Sequence, residues 1–271
     1  MDKSGKQQNH CAFRTEFLKK PAAFFAVVLG LLLLAACGIE EYPYLEPVRE
    51  SNISWELNTQ ATILLPYVSS QQFTHFAIYY RIYVSDVPIV STISDTNTMN
   101  TINSTLAQDY NTFLPYINTD NTSVSTQIDT LFSNRKYYSL YTESPLDLNN
   151  LLSSSAMGQR IVIDFSQGNG RPTIEIGGAE YVLWRTTGRE RLGEVFEIKP
   201  NDRSFLNTGE LNSSVSTSSA PVNTDVADKA VSGSRYTYVS MYIVSAGQNL
   251  TDYRPFYSQP AYIGVFLLPD P

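Results

Sequence analysis

Cysteine and histidine are almost absent from this chain. It has two cysteines, Cys11 and Cys37, and two histidines, His10 and His75. Beyond Cys37 there is no thiol for a disulfide, a thiolate metal site or a cysteine nucleophile. His75 is alone there, so a multi-histidine metal site is excluded, and serine–histidine chemistry would have to run through that one ring. Charge is also sparse, at 17% of residues, with 19 Lys and Arg against 26 Asp and Glu. An acidic balance counts against partners that are nucleic acids or anionic surfaces. No acidic loop has the spacing of an EF-hand. Gly168-Asn-Gly170-Arg-Pro lacks a third glycine and a following helix, so it reads as a turn and not a nucleotide loop. No cofactor and no metal are expected.

What the chain does have is a marked beginning. Lys3, Lys6, Arg14, Lys19 and Lys20 face only Asp2 and Glu16 in the first twenty residues, and fifteen apolar or small residues follow, Ala22 to Ala36. A helix crossing about 30 Å of hydrocarbon needs about 20 apolar residues. This run is short for a permanent span and has the length of a signal-peptide core. It stops at Leu34-Ala35-Ala36-Cys37-Gly38. Small residues fit the narrow pocket of a signal peptidase, and the cysteine supplies a sulfur that can be alkylated.

Those four residues, Leu34 to Cys37, resemble the lipobox of bacterial lipoproteins. The resemblance covers only the start of the chain. It implies that Cys37 receives a diacylglycerol thioether and that signal peptidase II, recognising Leu34, Ala35 and Ala36, cuts before Cys37. Residues 1–36 are then signal peptide. The new amino terminus would be acylated as well. One chain holds a protein on a bilayer only marginally, whereas two or three make residence effectively permanent. Residues 37–47 read as a lipidated tether, with Pro43 and Pro47 opposing helix and Glu40, Glu41 and Glu46 keeping it solvated. Loss of residues 1–36 would leave 14 Lys and Arg against 24 Asp and Glu. By analogy with enteric bacteria, Gly38 after the cysteine permits export to the outer membrane.

The remainder, 48–271, is rich in Tyr, Thr, Ser, Asn, Val and Ile, a composition suited to strands and polar turns. Trp55 and Leu57 precede a short apolar run, Ala61–Leu65. Thr74–Asp86 alternates with period two: Phe76, Ile78, Tyr80, Ile82 and Val84 on one face, His75, Ala77, Tyr79, Arg81 and Tyr83 on the other. This predicts a half-buried strand. Met99, Ile102, Leu106, Tyr110, Phe113 and Leu114 recur every three to four residues and predict one amphipathic helix over about 97–117, capped by Asp95. A shorter helix is expected near 146–153. Further strands are predicted over 137–141, 160–165 and 195–198, with a hairpin over 173–185 turning at Gly177-Gly178. A Ser/Thr-rich loop follows over 207–224, and two strong strands close the chain over 234–246 and 257–268. Pro260 places an edge or a strand start in the last of these. Four Asn-x-Ser/Thr triplets, among them Asn103-Ser-Thr, read as accidents of composition.

The segments around Tyr80, Tyr238–Gly247 and Tyr257–Leu268 resemble the C, F and G strands of a fibronectin type III or immunoglobulin-like sandwich. That implies a mainly β fold: a sandwich with a large inserted β-rich lobe, about 91–232, carrying the one amphipathic helix. Asn201–Thr208, Tyr236–Tyr242 and Ser258–Phe266 resemble stretches of spirochaete lipoproteins of the treponeme type, which implies no particular activity.

Candidate chemistry is thin. Asp164, Glu175 and Glu180 sit on neighbouring predicted strands, where two could face each other as a glycosidase pair must. The plainer reading is solvent-facing carboxylates alternating with Ile161, Ile163, Ile174 and Ile176. Candidate ligand contacts are Tyr79, Tyr83, Tyr137, Tyr138 and Trp184, because aromatics beside arginine make sugar platforms and interface hot spots. The competing reading is that these rings cover a second sheet face. The expectation is a non-enzymatic binding or structural module of the cell envelope, held to a membrane through Cys37, with a protein or glycan partner and no nucleic acid. The alternatives are a glycan-acting hydrolase using a carboxylate pair and, less suited to a β-rich pattern, a transporter's substrate-binding component.

Overall fold

A computed structural model of the chain describes residues 44–56, 59–88, 96–117, 125–142, 147–166, 172–185, 190–191, 194–195 and 236–268. All lie in one unit, residues 43–271. The strands in chain order are β1 Ile53–Glu56, β2 Gln60–Leu64, β3 Phe73–Ser85, β4 Tyr138–Ser139, β5 Tyr141–Thr142, β6 Arg160–Asp164, β7 Thr173–Ile176, β8 Ala179–Trp184, β9 Glu190–Arg191, β10 Glu194–Val195, β11 Tyr236–Gln248, β12 Pro255–Tyr257 and β13 Ala261–Leu267. The helices are α1 Thr96–Ile102, α2 Ser104–Phe113, α3 Ser125–Asn134 and α4 Leu148–Leu151.

Two antiparallel sheets form a β-sandwich, so the mainly β reading of the sequence holds. The outer sheet runs β1-β2-β6-β7-β8-β5, and the middle sheet places β11 between β3 and the pair β12 and β13, with β4 beyond β3. Phe76, Ile78, Tyr80 and Ile82 of β3, with Val239, Met241 and Ile243 of β11, meet Ala61, Ile63, Ile161, Ile163 and Ile174 of the outer sheet in one core. Each set follows from period-two alternation. The described parts of 91–232 enter both sheets and the helical layer: β6, β7 and β8 are the middle of the outer sheet.

The second face of β3 is not open to water. Ala77, Tyr79 and Tyr83, with Tyr238, Tyr242 and Val244 of β11, pack against Met99, Leu106, Phe113, Ile128 and Phe132 of α1, α2 and α3. The half-buried strand expected from alternation is therefore buried on both sides. Helices cover the tyrosine face, as a central strand requires.

The helical layer also differs from the single helix expected over 97–117. Asn103 is extended (φ −159°), and its side-chain oxygen accepts from the Thr105 and Leu106 amides at 2.9 and 3.0 Å. A short polar side chain that satisfies the first amides of a new helix ends the old one. The Ile102 carbonyl, left over by that break, accepts from Ser85 Oγ at 2.7 Å. A third helix, α3, follows in a stretch that reads as polar. The short helix expected near 146–153 is α4, capped by Asp147, whose carboxylate accepts from the Asn149 amide at 3.1 Å. The strand expected over 137–141 is two pieces: β4 pairs with β3, whereas β5 pairs with β8, so the chain crosses between sheets at Leu140. Asp95, Gly168–Gly170, residues 196–198, the loop 207–224 and Asn201–Thr208 lie outside the described residues.

The folded body starts earlier than residue 48. Leu45 and Val48 are buried in the sheet–sheet core, and the Glu46 carbonyl accepts from Ser245 Oγ at 2.6 Å. Solvation by Glu46 does not keep this part of the expected tether free.

Where β13 meets β11 the register shifts: Met241 pairs with Gly264 and Tyr242 with Tyr262, leaving Ile263 unmatched. This bulge switches which face each later residue takes. The Ile263 carbonyl accepts from Trp55 Nε1 of β1. Gly264 has φ +144°, and a Cβ there would lie 2.8 Å from Trp55 Nε1. Gly264→Ala is expected to destabilise the fold by about 1–3 kcal/mol through strain. The urea midpoint should fall at unchanged m-value, and Trp55→Phe, by removing the crowded ring edge, should reduce the loss. An unchanged midpoint would show that the bulge relaxes without cost.

Candidate functional site

The candidate aromatic contacts separate into different places. Tyr79, Tyr83 and Tyr137 are 8%, 0% and 3% exposed, beneath the helical layer. The Tyr79 ring stacks on Phe132 of α3, with centroids 4.1 Å apart and planes 6° apart. These three present no face to a ligand from solution, because the helices that cover the sheet use those faces for packing. Tyr138 is half-buried and packs on the sheet–sheet core. Trp184 is half-buried on the outer sheet, in register with Tyr141 of β5, which is 38% exposed. Cys37, Leu34, Ala35 and Ala36 lie outside the described residues.

Under the helices sits a polar cluster that the alternation pattern does not announce. Asp109 of α2 is fully buried and accepts from Arg81 Nη1 of β3, from the Tyr83 hydroxyl at 2.6 Å and from Arg135 Nη1 at 3.4 Å. The Tyr137 hydroxyl lies 3.0 Å from that of Tyr83 and donates to Ser240 Oγ at 3.2 Å. The end of α3 supplies two of these groups. Lys136 is left-handed (φ 57°), and the Lys136 and Tyr137 amides bond back to the Ser133 and Phe132 carbonyls at 3.0 and 2.9 Å. This Schellman closure turns the chain so that Arg135 and Tyr137 reach the cluster from either side of Lys136. A signal existed in the sequence: Asp109 lies three residues after Leu106 and four before Phe113, on the apolar stripe of α2, and Arg81 interrupts the tyrosine face of β3.

Burial pushes the Asp109 carboxyl above its ordinary range; the Tyr83 hydrogen bond and the charges of Arg81 and Arg135 oppose this. Burial likewise raises the Tyr83, Tyr137, Tyr242 and Tyr262 phenols, helped by neighbouring phenols or Asp109. The Tyr242 hydroxyl is buried with no hydrogen-bond partner among the described residues. The cluster spends its donors and acceptors on joining β3, β11, α2 and α3, which is the work of a structural joint.

Asp164, Glu175 and Glu180 do not form a cleft. Glu175 and Glu180 face each other across the β7–β8 hairpin, and both are exposed on the open side of the outer sheet. Asp164 accepts from the Ser166 amide and hydroxyl, both at 2.6 Å. The hairpin turn is Gly177-Gly178, with φ 60° and 83°, the conformation that a two-residue turn of this hand needs. The His75 Nδ1 lies 2.9 Å from Thr74 Oγ1, and that hydroxyl gives its one proton to the Ala246 carbonyl at 3.1 Å. Thr74 is thus not presented to His75 as a nucleophile. Burial lowers the His75 pKa, and the Asp147 charge opposes the shift. Among the described residues no group of three or more His, Cys, Asp or Glu is placed to hold a metal ion.

The surface is less even than the interior. Seven large apolar side chains are exposed among the described residues: Tyr44, Leu64, Tyr67, Leu114, Tyr141, Leu250 and Tyr253. Five of them, all but Leu114 and Tyr141, belong to the end of the sandwich at which residue 44 joins the body. Leu64 ends β2 and Tyr67 follows it. Ser69 holds the Glu46 carboxylate through its hydroxyl at 2.6 Å, and the Gln248 amide, just before the loop with Leu250 and Tyr253, bonds the Gln72 carbonyl at 2.9 Å.

Comparison with protein-family models, with curated proteins and with solved structures returned no match.

Two tests address the buried cluster. Arg81→Met leaves Asp109 a buried charge without its main partner and is expected to cost about 3–5 kcal/mol. Arg81→Met with Asp109→Leu should recover most of that in denaturant melts; a double variant as weak as the single one would show that the charges are indispensable to the fold. Alkaline titration is the second test. The four phenols that burial raises, Tyr83, Tyr137, Tyr242 and Tyr262, resist ionisation in the folded state, so the stability they contribute is intact below about pH 10, the ordinary tyrosine value. It falls as pH rises further, since the unfolded chain can ionise and the folded one resists. Tyrosinate absorbance should show a group of phenols that appears only together with loss of circular dichroism. Smooth titration of every tyrosine in a still-folded protein would contradict their burial.

Proposed function

We propose that this chain is a lipid-anchored protein of the bacterial cell envelope, and that its sandwich is a non-enzymatic binding or structural module. The observation that carries the reading is the order of parts. A basic segment and a short apolar run end at Leu34-Ala35-Ala36-Cys37, and soon after them Leu45 and Val48 are already buried in the sandwich core. An anchor followed closely by a rigid domain holds a surface at a membrane. No helix among the described residues is long and apolar enough to cross one. The resemblance of Leu34–Cys37 to a lipobox supplies an attachment that needs no such helix.

The non-enzymatic part of the proposal draws on the disposition of the reactive groups. The one histidine beyond Cys37 faces a hydroxyl whose proton is already committed. The opposed pair Glu175 and Glu180 stands exposed on an open sheet face, with no cleft around it to hold a sugar ring. The outer face of the first sheet, with Trp184 beside Tyr141, is the accessible aromatic surface left among the candidate contacts and the place to seek a protein or glycan partner. By analogy with enteric bacteria, Gly38 after the cysteine permits export to the outer membrane.

Cys37→Ser is expected to release the protein from the membrane fraction into the soluble envelope fraction. Mass spectrometry of the natural protein should find the amino-terminal peptide beginning at Cys37 with a thioether-linked diacylglycerol. Membrane retention of the serine variant would refute the anchor. Cleavage of a glycan panel that Glu175→Gln abolishes would refute the non-enzymatic reading and establish the hydrolase.

A further inference from the structure

We infer that the end of the sandwich carrying Tyr67, Leu250 and Tyr253 rests on the lipid surface to which the chain is anchored. This rests on the reading of Cys37 as the lipidated residue. Six residues, 38–43, separate that cysteine from Tyr44. The seven Cα–Cα steps from Cys37 to Tyr44 span at most about 25 Å when fully extended, so whatever course they take, the end of the body at Leu45 is held near the headgroups. That same end holds five of the seven exposed large apolar side chains among the described residues.

The β11–β12 loop is built to present such side chains. Leu250 is 63% exposed and Tyr253 69% exposed. The loop that lifts them is closed by its own hydrogen bonds: the Asn249 amide to the Arg254 carbonyl and the Tyr253 amide to the Asn249 carbonyl, both at 2.9 Å. The Asn249 carboxamide oxygen accepts from the Thr251 amide at 2.8 Å, and Gln248 Nε2 donates to the Tyr253 carbonyl at 3.1 Å. Tyr253 has φ 58°. Glycine or asparagine would take that conformation with less strain, and a bulky residue there is uncommon. The chain spends strain to keep an aromatic ring in water at the one end that the anchor holds near lipid. Tyrosine is suited to that place, with an apolar ring for the acyl boundary and a hydroxyl for the headgroups. The basic residue of the tip, Arg254, is 83% exposed at its side chain and 3.4 Å from Asp252.

Two or three side chains hold a free protein on lipid only weakly. The anchor changes this by raising the local concentration of the tip at the surface to the millimolar range. The contact would fix the tilt of the sandwich and turn the far ends of β3 and β11 away from the membrane.

The test uses the lipidated protein purified from membranes and reconstituted in phosphatidylcholine–phosphatidylglycerol vesicles. With Cys37 alkylated by its lipid, Leu250→Cys provides a single thiol for an environment-sensitive dye. Asp86→Cys, just past the other end of β3 and about 40 Å from its start, is the control. The expected result is a several-fold brighter, blue-shifted signal from position 250, quenched by nitroxide lipids, with position 86 unchanged. A dye at Tyr67→Cys should lose its quenching when Leu250→Ser and Tyr253→Gly are combined, while Tyr253→Gly alone leaves the melting temperature unchanged or raised. If the protein floats with the vesicles and position 250 is as wet as position 86, the membrane-facing end is wrong and the anchor stands. Shielding of position 250 in native envelopes but not in pure lipid would also overturn the proposal, in favour of a protein partner. If the protein does not float, the anchor reading fails and takes this inference with it.

Discussion

The pairing of β3 with β11 is the constraint on which the rest of the structure depends. The two strands run antiparallel from Tyr236 opposite Ser85 to Gly247 opposite Phe73. Their side chains alternate between two cores, one shared with the outer sheet and one with the helices. A ladder of that length, apolar on both faces, is stable only if both faces are covered. Removing either layer would expose a tyrosine-lined or an isoleucine-lined sheet to water. The sandwich and the helical layer are therefore two halves of one burial problem, set by two segments far apart in sequence. The bulge at Ile263 adjusts the third strand to the same problem, turning Val265 toward the helices and Phe266 toward the outer sheet.

Tyrosine is the residue that lets one sheet serve both purposes. Its ring buries as much as a phenylalanine's, and its hydroxyl, when buried, usually finds a partner. The Tyr83 hydroxyl of β3 meets Asp109, the neighbouring Tyr137 hydroxyl meets Ser240 of β11, and the Tyr238 hydroxyl of β11 donates to the Val87 carbonyl, while Arg81 supplies the charge that keeps Asp109 paired. Apolar contacts alone would allow the helices several seats on a broad aromatic surface. A buried carboxylate that must meet an arginine on one strand and a tyrosine two residues further allows only one. The cost is desolvation, visible in the upward shift of Asp109 despite two nearby arginines. Its return is a fixed position for the helices, so the cluster adds specificity more than stability.

The long strands, the Gly177-Gly178 hairpin, the short helix at Leu148 and the two-sheet character were legible in the sequence because each rests on local periodicity or on one turn residue. Coverage was not. Period two shows that the faces of β3 differ, but Tyr79 and Tyr83 fit a wet face and a packed one equally well. What separates these cases is α3, whose apolar residues Ile128, Leu131 and Phe132 stand in a polar, Ser/Thr-containing frame for which the sequence reading places no element. The crossing at Leu140 escaped for another reason. A strand that leaves one sheet and joins another keeps its alternation, so nothing in residues 137–141 marks the change of partner. The cluster around Asp109 was readable only by joining two oddities, an acid on an apolar helical stripe and an arginine inside a strand.

Two residues other than glycine take left-handed backbone among those described, Lys136 and Tyr253, and comparing them separates strain that serves the fold from strain that does not. Lys136 lies in a helix-ending closure with two backbone bonds, and its conformation delivers Arg135 and Tyr137 to the buried cluster. Its strain is offset by what its neighbours bury. Tyr253 also has hydrogen bonds at its amide and its carbonyl, but these would form as well with glycine in its place. Its ring gains nothing inside the protein, because it is mostly in water. Stability within the domain thus accounts for the strain at Lys136 but not for the strain at Tyr253. The proposed lipid contact would supply what the isolated domain does not, and Leu250 of the same loop, also exposed, would give that contact an apolar character.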